Sequence, residues 1–301
     1  MEKATADRQA DASELGGVLL VDKPAGITSH DAVAIVRRAA HTRRVGHTGT
    51  LDPFATGLLV MLIGRGTRLI PYVDGEPKVY EATIRFGAET DTDDGTGTTT
   101  RTAELPADGA IEEGIRQLTG PIDQVPPAYS AKQVDGTRAY AAARGGRALE
   151  LEPCRVNVHE WTILGRDGAD LRVRISCGGG TYIRALARDL GRLTTSAAHL
   201  SALRRTRTGQ FSVDDAATLD AIAAGALPVQ SLRAAIPSLP VRRLDASELG
   251  RVGHGNPIAA RAGDLQAEGA RIALVDDEET LIAVAERAGS ELRPKLVLRD
   301  G

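Results

Sequence analysis

Residues 79–86, Val-Tyr-Glu-Ala-Thr-Ile-Arg-Phe, place an apolar or aromatic side chain at every second position. Tyr80, Ala82, Ile84 and Phe86 fall on one face, and Glu81, Thr83 and Arg85 on the other. That is the pattern of a half-buried strand. Leu171 to Cys177 alternates in the same way, and Gly17 to Val21 is a short apolar run that reads as a strand entering the Asp22-Lys23-Pro24 loop. A helix is expected from about Asp31 to Ala40, capped by Ser29 or Thr28, with Val33, Val36 and Ala40 turned inward. A second is expected near Thr181, because Ile183, Leu186, Ala187 and Leu190 recur at helical spacing after the Gly178-Gly179-Gly180 turn. Thr56 to Ile63 is apolar throughout and reads as a further helix. Residues 89–113 are acidic and rich in Thr and Gly, which reads as a long surface loop. The stretch 118–146 begins with turn residues and ends in a basic, alanine-rich expected helix. Strands and helices in this mixed order, without βαβ regularity, give an α+β fold.

From about Leu239 the texture changes to short apolar runs separated by Gly, Pro and acidic turns, as in a small β-rich unit. The expected division is a disordered polar tail over 1–16, a main domain over 17–237 and a C-terminal domain over 238–301. The 301 residues suffice for such a division. The net charge of −3 argues against a uniformly basic nucleic-acid binder, although charge is unevenly spread. Cys154 and Cys177 form no C-x-x-C pair and read as small buried residues in a reducing compartment. The N-terminal stretch is no secretory signal, and no apolar run reaches the roughly 18 residues of a membrane span. A cytoplasmic protein is expected.

The stretch "RRVGHTGTLDPFATGLL", residues 43–59, concentrates the chemistry. Asp52 read alone is a helix N-cap before proline. The glycines at 46, 49 and 57 open a second reading, in which backbone approaches a ligand closely and the carboxylate is presented to it. His47 read alone is a satisfied loop or core histidine, or else a wedge into an unpaired nucleic-acid loop. Tyr80 is equally an ordinary core residue. Tyr182 and Arg184 lie off the apolar stripe of their helix, so burial does not explain them. "CGGGTYIR" is no Walker loop, and "DTDDGTG" fails both the EF-hand spacing and the aspartyl-phosphatase pattern. Three arginine clusters (37, 38, 43 and 44; 138, 144 and 147; 204, 205 and 207) point to phosphate contacts.

The segments "GVLLVDKPAGITSHD", "GHTGTLDPFATGLL", "KVYEATIRFG", "PPAYSAKQVDGTRAYAAARGG", "GGGTYIRALARDLG" and "AHLSALRRTRTG" stand in this order along the chain. In order and spacing they resemble the TruB family of pseudouridine synthases, densely over 17 to about 212 and more weakly into a PUA-like tail. The length and small tail are more similar to the bacterial stand-alone enzyme than to the guide-RNA relatives. The departures are Thr50, where alanine is frequent, and the Gly-Gly-Gly turn, where a charged residue can occur.

The resemblance implies a mixed, largely antiparallel sheet and an RNA-gripping insertion at about 121–150. It implies that uridine-55 in the tRNA T loop is isomerised to pseudouridine. Asp52 would be the nucleophile, Tyr80 would stack on the target base, and Tyr182 would lie near the reacting carbon. Arg184 would pair with the aspartate and His47 would help open the loop. Leu203 would be an apolar substrate contact, and Lys23 would support the active-site loop. Such chemistry needs one nucleophile and no acid/base pair. The carboxylate attacks C6 of uracil or C1′ of ribose, or drives elimination of the base. Nothing is oxidised and no group is donated, so no cofactor, metal or protein partner is expected, and a monomer acting on tRNA is. The same chemistry on another RNA, or a tRNA-binding and folding module without catalysis, are the competing readings.

Overall fold

The computed structural model describes residues 16–298 except 131, 135, 136, 139–141, 143–148, 150, 265 and 266. The expected disorder of 1–16 lies almost wholly outside the described residues, as do most of the alanine-rich segment and the side chains of Arg138, Arg144 and Arg147.

In chain order, β1 (Gly17–Lys23), α1 (Ser29–Ala39), β2 (Val45–His47), β3 (Thr56–Ile63) and β4 (Lys78–Phe86) open the fold. There follow β5 (Ala88–Thr90), β6 (Thr99–Thr102), α2 (Asp108–Gln117), β7 (Gly120–Gln124), β8 (Gln133–Val134) and β9 (Thr137–Arg138). Then come β10 (Cys154–Asp167), β11 (Asp170–Cys177), α3 (Ile183–Leu193), β12 (Ala198–Thr208), β13 (Phe211–Ser212), β14 (Ala217–Thr218) and α4 (Leu219–Ala223). The last part holds β15 (Val241–Arg243), α5 (Ala246–Gly253), β16 (Ile258–Ala259), β17 (Arg271–Val275), β18 (Leu281–Ala288) and β19 (Glu291–Val297).

A ten-stranded sheet runs β14-β1-β3-β12-β4-β11-β10-β7, with β2 on β3 and β13 on β12. Only β1–β14 and β3–β12 pair in parallel, so the sheet is mixed and largely antiparallel as expected. A separate five-stranded sheet, β15-β17-β18-β19-β16, makes the small β-rich C-terminal part. The two sheets share a core: Val18, Leu20, Leu58, Val60 and Leu62 pack with Ala273, Val275, Leu281, Val284 and Leu296. No helix among the described residues is long and apolar enough to cross a membrane.

Three local expectations are corrected. Thr56–Ile63 is a strand and no helix. Leu58, Val60 and Leu62 face the core shared with the C-terminal sheet, while Leu59, Met61 and Ile63 face α1. A strand covered on both faces has no polar side and so shows no alternation. Residues 89–113 are no surface loop, for they contain β5, β6 and the start of α2, and Glu89, Thr90, Asp93 and Asp94 are buried. Those acids tolerate burial because arginines meet them: Arg192 and Arg101 meet Glu89, and Arg188 meets Asp93 at 2.9 Å. Arg184, expected off the buried stripe, is itself buried on α3 together with Ile183, Leu186, Ala187 and Leu190.

The remaining elements follow their sequences. Thr28 is the N-cap of α1 and forms a reciprocal capping box with Asp31. Ser29 is freed for another task at the site. Gly57 sits at φ +102°, and a Cβ there would stand 2.2 Å from the Arg205 carbonyl oxygen. Glycine therefore permits β3 and β12 to pair directly beside the loop that carries Asp52.

Candidate active site

Asp52 caps no helix, because the residues after it turn straight into β3. Its loop is held from behind by residues of the β1–α1 segment. Ser29 Oγ accepts from Leu51 N at 2.9 Å and donates to Leu51 O at 3.1 Å. Gly26 N donates to Pro53 O at 2.8 Å. Lys23, fully buried, donates from Nζ to Pro24 O at 2.8 Å, Ile27 O at 2.9 Å and Pro53 O at 3.4 Å. Leu51 and Pro53 are thus pinned on both sides of Asp52.

The Asp52 carboxylate meets Arg184 of α3 side-on. Arg184 Nε donates to Oδ2 at 2.9 Å and Nη2 to Oδ1 at 3.2 Å. Nη1 donates to Thr92 O at 2.8 Å, Nη2 also to Tyr129 O at 2.9 Å, and Nη1 lies 3.7 Å from Asp94 Oδ2. Four of the five guanidinium N–H groups therefore donate to protein oxygens, the fifth faces the Asp94 carboxylate, and the fork has one orientation. The Arg184 side chain is 5% exposed and that of Asp52 is 35% exposed. The arginine is part of the wall, while the carboxylate reaches open space.

That space is a cleft of about 260 Å³ lined by Asp52, Tyr80, Tyr182, Arg184, Leu203, Lys78 and Arg205, among others. Sheet register brings them together. On β4, Tyr80 stands opposite Ile175 of β11 and Arg205 of β12, and Ala82 stands opposite Leu203. Tyr80 belongs to the core cluster and to the cleft wall at once. Burial pushes its hydroxyl up, and the nearby Arg205 opposes that.

Of the residues singled out from sequence, Asp52, Tyr80, Tyr182, Arg184 and Leu203 line this one cleft. Lys23 stands behind the Asp52 loop and does not line the cleft. His47 is on β2, half-buried, and is not part of the lining; burial lowers its imidazole, and His30 and Arg205 lower it further. The arginine clusters divide. Arg37, Arg38, Arg43 and Arg44 are exposed. Arg204 pairs with Asp22 at 2.8 Å. Arg205, at 2% exposure, is no phosphate contact from the surface: it donates to Leu58 O at 2.8 Å and Gly49 O at 3.0 Å.

Sequence reasoning missed Lys78, Thr92, Asp94 and Tyr129, and it read Arg205 as a phosphate contact. Lys78 lines the cleft from β4, with its ammonium lowered by burial and by Arg205 and raised by Cys177 and Glu76. Thr92 and Tyr129 hold Arg184 through main-chain oxygens, which no motif records, Asp94 faces it with its carboxylate, and Arg205 donates to Leu58 O and Gly49 O.

Lys23 yields a stability prediction. Lys23→Met removes the donor for the carbonyl oxygens of Pro24, Ile27 and Pro53, and should cost about 1–3 kcal/mol in urea unfolding. Burial lowers the Lys23 ammonium to about 8; Asp52 opposes this and Arg205 reinforces it. Its folded value lies below the unfolded 10.5, so the folded chain binds fewer protons between them and stability from this residue rises with pH across that window. The rise should be smaller in Lys23→Met.

Residues 37–183 match the family model for the TruB family pseudouridylate synthase N-terminal domain. Residues 184–239 match that for the tRNA pseudouridylate synthase B C-terminal domain. The tRNA pseudouridine synthase B of Thermobifida fusca is 47% identical over 291 residues, covering 93% of this chain and 98% of its own. That of Mycobacteroides abscessus is 45% identical over 94% of this chain and 96% of its own. Among solved structures, a Cbf5-Nop10-Gar1 complex superposes with a TM-score of 0.74 at 23% identity, over 97% of this chain and 87% of that one. An H/ACA RNP bound to a substrate RNA containing 2′-deoxyuridine gives 0.72 at 22% identity, over 96% and 87%. These two likenesses establish the fold, and the sequence matches establish the kinship: the chain belongs to the TruB family of pseudouridylate synthases.

Proposed function

We propose that this protein isomerises uridine-55 in the T loop of tRNA to pseudouridine, with Asp52 as the nucleophile on a flipped-out base. The observation that carries the reading is the Asp52 carboxylate, locked by Arg184 and opening into a cleft walled by Tyr80, Tyr182 and Leu203. The relatives named tRNA pseudouridine synthase B support tRNA as the substrate. The cleft suits a single everted nucleoside and is too small for stacked bases.

The geometry supports the following roles. The uracil enters between Tyr80 and the α3 N-terminus, with Leu203 against its ring. The stacking on Tyr80 offsets the few kcal/mol of unstacking that eversion costs. The carboxylate acts on C6 or C1′, or drives elimination, and Arg184 keeps it aimed without itself entering the open cleft. Tyr182 lies where a ring could be held, or a proton moved from C5, after the base rejoins. His47, outside the lining and before Gly49, is placed to act on the loop that enters rather than on the base. The reaction is an isomerisation, so it is redox-neutral and needs no group donor, and we read the enzyme as a cofactor-free cytoplasmic monomer. Residues 17–237 form its catalytic body in this reading, and 238–301 a PUA-like unit.

Tyr80→Leu should remove about 1–3 kcal/mol of base stacking and slow single-turnover product formation accordingly. Release of tritium from a transcript carrying 5-tritiated uridine tests the position. It should fall to background when uridine-55 is replaced by cytidine; undiminished release would place the reaction at another uridine.

A further inference from the structure

Tyr182 is the N-cap of α3, yet its side chain makes no capping bond. Its main chain is held instead by Gln124, the last residue of β7. Tyr182 N donates to Gln124 Oε1 at 2.9 Å, and Gln124 Nε2 donates to Tyr182 O at 3.1 Å. Tyr182 O also accepts from Leu186 N at 3.1 Å, closing the first turn of the helix. Gln124 is 1% exposed and 58 residues away in sequence. A planar amide that bonds both the N–H and the C=O of one residue fixes the peptide planes on either side of it. The direction of the Tyr182 Cα–Cβ bond is fixed with them.

The chain just beyond Gln124 repeats the grip. Val125 O accepts from Arg188 Nη2 at 2.8 Å, and Tyr129 O accepts from Arg184 Nη2 at 2.9 Å. Residues 124–129 thus lie against the first two turns of α3, with Gln124 meeting Tyr182, Val125 meeting Arg188 and Tyr129 meeting Arg184. From the other side, Glu76 Oε1 accepts from Gly179 N at 2.7 Å, where a Cβ would stand only 2.6 Å from that oxygen.

We infer that Gln124 is a positioning residue for the reaction, holding Tyr182 and, through residues 125–129, Arg184 in register with Asp52. The inference rests on the proposed roles of Tyr182 and Arg184. It makes the start of the 121–150 insertion part of the catalytic scaffold as well as an RNA contact.

The test compares Gln124→Leu and Gln124→Glu in the full-length protein. Tritium release from a fully 5-tritiated tRNA transcript, under single turnover, is measured beside the tRNA dissociation constant. Gln124→Leu should react about tenfold more slowly or worse, because small displacements of aligned groups are costly. Its affinity for tRNA should stay within about twofold of wild type, since phosphate contacts dominate binding. A protonated glutamic acid offers the same donor and acceptor as the amide. Gln124→Glu should therefore recover towards the wild-type rate as pH falls, while Gln124→Leu does not. Equal rates for Gln124→Leu and wild type, a loss confined to affinity, or a Gln124→Glu ratio that is flat with pH would each overturn the inference. Release counts every uridine, so a wild type that modifies a position other than 55 sinks the proposed site and leaves this comparison readable.

Discussion

Asp52→Asn should abolish pseudouridine formation while leaving the fold and tRNA binding in place. The amide has the size of the carboxylate and retains an oxygen for Arg184, but it is no nucleophile. A rate loss of about 10⁴-fold is expected, equal to ~5.5 kcal/mol of barrier. Asp52 is partly exposed, and its loop is secured by Lys23, Gly26 and Ser29 through the neighbouring residues. The variant's unfolding midpoint should therefore move little. Single-turnover kinetics and filter binding separate the two effects. A parallel loss of affinity would mean that the side chain binds RNA and does not react with it.

Arg184→Lys should damage both rate and stability. A lysine keeps the charge but is a point donor without the planar fork. It cannot span both oxygens of Asp52 and also reach Thr92 O and Tyr129 O, which Arg184 now satisfies. Asp94, 3.7 Å from the guanidinium, loses its ionic partner and keeps only its hydrogen bonds from Thr92 and Thr96. Breaking such a buried pair costs about 3–5 kcal/mol. The freed carboxylate should lose its aim, with a further rate loss of about 10²-fold. Arg188→Lys is the control. It lies one turn further along α3, is as deeply buried, and meets Asp93 and Val125 O but not Asp52. It should lose stability on a similar scale with a clearly smaller rate loss than Arg184→Lys, because it reaches Asp52 only indirectly, through the 125–129 segment.

The sequence displayed the site more fully than the fold around it. Asp52, Tyr80, Tyr182, Arg184 and Leu203 were legible because their segments are long and distinctive, and one cleft gathers all five. Strands β4 and β11 were legible because one face of each is polar. Strand β3 was not: the apolar run 56–63 is buried on both sides, and periodicity does not separate such a strand from a buried helix. With a strand there, Asp52 has no helix to cap. The acidic 89–113 stretch reads as surface for a related reason. Composition counts charges, but burial of Asp93 and Asp94 depends on arginines about 90 residues away at 184 and 188. The same holds for Gln124 and Ser29, whose partners are backbone groups brought near only by the folded chain.

The measurement closest to the central claim is chemical mapping of pseudouridine in an unmodified tRNA transcript after incubation with wild-type protein and with Asp52→Asn. The account predicts one modified nucleotide, at position 55, with the wild type, and none with the variant. Pseudouridine at 55 made by Asp52→Asn, or at some other position by the wild type, would contradict it.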